Sequence, residues 1–87
     1  MLVLYQPRSE HRMDVEEFVR QFKGQYPSTS FQVLDVDQPE GTAKAALYGA
    51  MSYPYIIVVR DDGSVIHSWE REIPRSQDVD YYASSNV

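Results

Sequence analysis

The stretch Tyr48-Gly49-Ala50-Met51-Ser52-Tyr53-Pro54-Tyr55-Ile56-Ile57-Val58-Val59 decides how this chain is read. Gly49 ends a helical segment, a short loop carries Pro54, and the β-branched run Ile56 to Val59 demands a strand. Tyr55 to Arg60 is the strongest strand in the sequence. Asp62-Gly63 follows as a two-residue hairpin turn, so Val65 to Glu70 is expected to return antiparallel.

Upstream, Leu2 to Tyr5 is a short apolar run that suits a strand buried on both faces. From Met13 to Lys23, Val15, Phe18, Val19 and Phe22 recur at helical spacing. Two N-terminal caps suit that helix: Asp14, with Glu17 three residues on as a capping box, or the earlier Ser9. Gly24 is placed to supply a left-handed C-terminal stop. Phe31 to Asp37 reads as a second strand, after which Asp37 is expected to cap a helix with Pro39 near its first turn. Ala43, Ala46 and Leu47 supply that helix with a narrow apolar stripe, small enough for close packing on a sheet. A last helix is expected from Ser76 to Ala83 with Val79 and Tyr82 inward, then a loose tail over 84–87.

The element order is βαβαββα in one α/β domain spanning residues 1–87, with a four-stranded mixed sheet flanked by helices. A hydrophobic content of 43% and an aromatic content of 13% are ample for a folded core. The net charge of −5 argues against nucleic acid or an anionic membrane surface as partner, since both call for a basic face. Acid is concentrated late, with six carboxylates against two arginines between Asp61 and Asp80. No apolar run approaches the roughly 20 residues of a membrane span, and Met1 to Tyr5 has no basic start of a signal peptide. A cytoplasmic location is the default expectation.

These features together resemble the thioredoxin and glutaredoxin core from Leu2 to about Ala83. The residues that carry the resemblance are the strand-to-helix passage Tyr5 to Arg12, the strand Val33-Leu34-Asp35-Val36-Asp37, and the loop Ser52-Tyr53-Pro54 before the hairpin. The resemblance implies a sheet order of 2-1-3-4 and a cis bond between Tyr53 and Pro54. It also places Ser9 and Arg12 where redox relatives carry Cys-x-x-Cys, and Val3 where thioredoxins bury an acid. The sequence contains no cysteine, so thiol–disulfide exchange, which starts from a thiolate, is excluded by composition.

Two places remain where such a scaffold would hold a ligand. Arg8, Ser9 and Arg12 surround the free N–H groups of the first helix and suit an anion; the favoured opposing reading is that Ser9 is only a cap and the arginines are solvated. The resemblance implies that Tyr53, before Pro54, offers its backbone to an extended peptide, with His11 and Ser9 nearby. The opposing reading has Tyr48 and Tyr55 in the core and Tyr53 shielding the loop. The two histidines, His11 and His67, are too few for a metal site, and no cofactor is expected.

The leading expectation is therefore a redox-inactive module that binds a peptide or protein through Arg8, Ser9, His11, Arg12, Tyr53 and Pro54. The alternative is a glutathione-binding or glutathione-transferase-like protein using Ser9 or Tyr5. Against it, Ile66-His67-Ser68-Trp69 stands where those enzymes carry an acidic-serine pair. A third reading is self-association, as a homodimer through the strand edge at Phe31 to Asp37.

Overall fold

The structure is a computed structural model that describes residues 1–84. Its elements are β1 (Leu2–Tyr5), α1 (Arg12–Gln25), β2 (Gln32–Asp35), α2 (Pro39–Tyr48), β3 (Tyr55–Val59), β4 (Val65–Glu70) and α3 (Ser76–Ser84). The strands form one four-stranded sheet in the order β2-β1-β3-β4. β1 and β2 are parallel, while β3 runs antiparallel to both β1 and β4. This is the expected mixed sheet and order. The Tyr53–Pro54 bond is cis. No described helix is long and apolar enough to cross a membrane.

Period-two alternation along each strand divides the core. Val3, Ile56, Val58 and Trp69 face one side, where they pack with Val15, Phe18 and Phe22 of α1 and Val79 of α3. Leu2, Leu4 and Ile57 face the other and pack with Val36 and Ala45 of α2. The larger cluster is organised around Phe22, fully buried, whose ring lies 5.2 Å from Tyr26 and edge-on to Phe31 at 5.9 Å. Trp69 covers the sheet from β4, and Tyr82 of α3 stacks flat on His67 at 4.2 Å.

Several local expectations are corrected. α1 is capped by His11 and starts at Arg12; neither Ser9 nor Asp14 makes a capping bond. Ser9 stands two residues before the cap position, and its hydroxyl donates to the Gln6 carbonyl at 2.6 Å. Gly24 lies inside α1 and is not left-handed, because the helix continues until the Tyr26 N–H has bonded Phe22 and its ring has reached the core. β2 stops at Asp35, not Asp37. There the Asp35 carboxylate accepts from the Asp37 N–H at 2.8 Å, and its carbonyl accepts from Gln38. That turn hands the cap of α2 to Gln38, with Pro39 at the first helical position.

α2 also faces the opposite way from the expected stripe. Ala43, Ala46 and Leu47 are exposed, while Gly41 and Ala45 meet the sheet. A Cβ at Gly41 would lie 2.0 Å from the Asp35 carbonyl oxygen, so the helix approaches at a point where no side chain fits. Gly49 closes α2 in the left-handed region at φ 67°, as expected. The hairpin loop holds three residues instead of two. Arg60 and Ser64 close it, Gly63 donates back to Arg60, and Gly63 takes φ 89°. Asp62 favours this longer form by accepting from both the N–H and the hydroxyl of Ser64. Ser84 belongs to α3; the rest of the expected tail lies outside the described residues.

Candidate functional site

Between β1 and α1 the chain is knotted around one residue. Gln6 accepts from both the N–H and the hydroxyl of Ser9, at 3.0 and 2.6 Å, and its own N–H donates to His11 Nε2 at 3.3 Å. The bond to Nε2 requires that nitrogen to be unprotonated, with any ring proton on Nδ1. Ser9 then accepts from the Arg12 N–H at 3.3 Å, and His11 accepts from Val15 at 3.0 Å, which starts α1. His11 is thus at once the helix cap by position and a clasp on the loop before it.

The imidazole lines a cleft of about 420 Å³ shared with Asp14, Glu17, Pro54, Arg71, Glu72 and Ile73. A second cleft of similar size shares Asp14, Glu17 and Ile73 and continues past Phe18, Tyr26 and Pro74. Together they follow the side of α1 along the connection from β4 to α3. Pro54 is buried at one end, and its carbonyl accepts from the Arg71 N–H at 2.8 Å. Arg71 adopts φ 63°, a left-handed conformation that an L-residue takes only under constraint.

Of the six residues expected to form the site, the structure brings His11 and Pro54 into this cleft. Arg8 and Arg12 are exposed and lie outside its lining, as does Ser9. Tyr53 sits beside Pro54 in sequence, but its half-buried side chain joins the opposite cluster, with Tyr48, against Leu2, Leu4 and Ile57. Met51 is 85% exposed and belongs to neither. The Tyr53 main chain differs from its side chain: neither its N–H nor its C=O has a hydrogen-bond partner among the described residues.

The cleft also contains Arg71, Glu72 and Ile73, none of which is among the residues expected from sequence to form the site. A signal did exist. The hairpin register pairs Tyr55 with Glu70, so the residue after β4 necessarily falls beside the residue before β3.

Tyr5 stands on the larger-cluster side of the sheet. Burial first, then the negative charges of Glu16 and Asp35, hold its phenol above the ordinary tyrosine range, with Arg12 opposing. Among the described residues no three metal-ligating side chains converge. The chain matches no protein-family model, and no curated protein proves similar to it.

Proposed function

We propose that this chain is a thioredoxin-like binding module without thiol chemistry, which takes an extended peptide or protein segment along the Tyr53–Pro54 loop beside the start of α1. The observation that carries the reading is that the N–H and C=O of Tyr53 have no partner among the described residues, one residue from the cleft of His11 and Pro54. A main chain with both groups open pairs with another extended main chain, which supplies affinity, while the adjoining cleft sorts side chains. Apolar walls from Phe18, Ile73 and Pro74 and charged walls from Asp14, Arg71 and Glu72 suit an amphipathic segment. The absence of cysteine leaves recognition as the use of such a loop. Glutathione has a weaker case, because the Ser9 hydroxyl already donates to Gln6 and would have to exchange that bond.

The test is a random-peptide display selection followed by amide-shift mapping of the selected peptide on the labelled protein. Shifts centred on Tyr53, His11 and Arg71 are expected, with affinity lost in Tyr53→Ala and Pro54→Ala while the fold is retained. Unchanged affinity in both variants removes the loop from the explanation.

A further inference from the structure

The outer edge of β2 is a second open surface, on the side of the molecule away from β4. In the parallel ladder, Gln32 donates to Met1 and Val36 to Tyr5. The residues between them alternate, so the N–H and C=O of Val33 point away from β1, and β2 is the last strand of the sheet on that side. Beside this edge lies a cleft of about 390 Å³ walled by Tyr5, Val15, Val19 and Val33. Exposed Arg20, ion-paired to Glu17 of its own helix, also lines it, and exposed Glu16 and Lys23 flank it from the same stripe of α1, seven residues apart. Neither Glu16 nor Lys23 has an ion-pair partner among the described residues.

We infer that this edge docks a second copy of the chain, β2 against β2, about a two-fold axis through Val33. The two Val33 residues then exchange both main-chain bonds, and the four-stranded sheets join into one of eight strands. The axis stands perpendicular to the sheet, so the two α1 helices run antiparallel across it. Glu16 lies about 10 Å along the helix from Lys23 at a rise of 1.5 Å per residue, with Val19 near the midpoint. The Glu16 end of one helix therefore faces the Lys23 end of the other, twice. The charge pattern is complementary to its own rotated copy, which is why a second copy fits this edge. Apolar contact between the Val33 side chains extends the clefts on the same face. This surface shares no residue with the Tyr53–Pro54 cleft, so either assignment stands or falls alone.

Sedimentation equilibrium on the whole chain tests this, with Glu16→Lys, Lys23→Glu and the double exchange. The unmodified chain is expected at twice its 10.1 kDa mass. Each single reversal is expected to weaken dimerisation by about tenfold or more, and the double exchange to restore it, as one tenfold step corresponds to a modest charge contact. Exchange of the Val33 amide in the unmodified chain should slow as protein concentration rises, a readout that needs no variant. A chain that stays monomeric at about 1 mM, where even millimolar affinity registers, overturns the inference. So does a dimer indifferent to both single reversals, or a Val33 amide whose exchange ignores concentration.

Discussion

The Arg71 N–H donates to the Pro54 carbonyl at 2.8 Å, and Arg71 makes that bond from a left-handed backbone at φ 63°. The bond extends the β3–β4 pairing one step beyond Tyr55 and Glu70 and turns the chain toward α3. It therefore fixes where Ile73 and Glu72 stand opposite α1, and so the width of the cleft.

A left-handed L-residue costs about 1 kcal/mol that glycine does not incur, partly offset by the greater freedom of glycine in the unfolded chain. Arg71→Gly is expected to raise the urea midpoint, by less than about 1 kcal/mol of stability. Arg71→Val, with a branched Cβ at the same φ, should lower it by more than about 1 kcal/mol. Chemical denaturation of the pair decides, since the two substitutions differ in sign. A fall with glycine would mean that the arginine side chain outweighs its own backbone strain.

His11 holds the loop before α1 by accepting from Gln6 at 3.3 Å. Truncation leaves that half-buried N–H without its partner, at a cost of about 1 kcal/mol. His11→Ala should lose about that much stability and speed exchange of the Gln6 amide, with the α1 amides little changed. Hydrogen exchange followed residue by residue checks both parts. Equal acceleration throughout α1 would assign His11 to the helix cap instead.

Gly41 lies where a Cβ would stand 2.0 Å from the Asp35 carbonyl oxygen and 2.9 Å from the Val36 Cα. Both are main-chain atoms, so no rotamer change relieves the clash and α2 must move off the sheet. Gly41→Ala should cost about 3 kcal/mol, the upper part of the overpacking range, although alanine is the better helix former. Ala46→Gly, on the exposed face of the same helix, should cost only about 1 kcal/mol. Thermal melts of the two variants separate close approach from helix propensity.

The sheet was legible because its information is local and periodic. Ile56 to Val59 leaves little but a strand, and the alternation Leu2-Val3-Leu4 assigns opposite sides to neighbours, as the two core clusters show. The face of α2 was not legible, because Gly41 contributes to packing by what it lacks, and a search for apolar side chains passes over it. The hairpin was one residue longer than Asp62-Gly63 suggested, since the Asp62 carboxylate stabilises the three-residue form through Ser64. Three of the seven residues lining the candidate cleft were hidden for a related reason. Arg71 to Ile73 carry no motif and reach Pro54 only through the register of a hairpin whose loop had been miscounted.

Alkaline titration isolates Tyr5. Burial, then Glu16 and Asp35, raise its phenol above the ordinary value in the folded chain, while the unfolded chain titrates normally. Between those two points the unfolded state has already lost a proton that the folded state keeps. Stability therefore falls with rising pH, starting near the ordinary tyrosine value of about 10 and continuing until the folded phenol also ionises. The Met1 ammonium, lowered by burial, acts in the opposite sense, and its gain is complete once the unfolded amine has titrated, nearer pH 8. Tyr5→Phe should flatten the alkaline loss while leaving the neutral-pH fold intact, because the ring keeps its apolar contacts on the larger cluster. Urea midpoints measured from pH 8 to 11 for both chains provide the comparison, and parallel curves would place the alkaline sensitivity elsewhere.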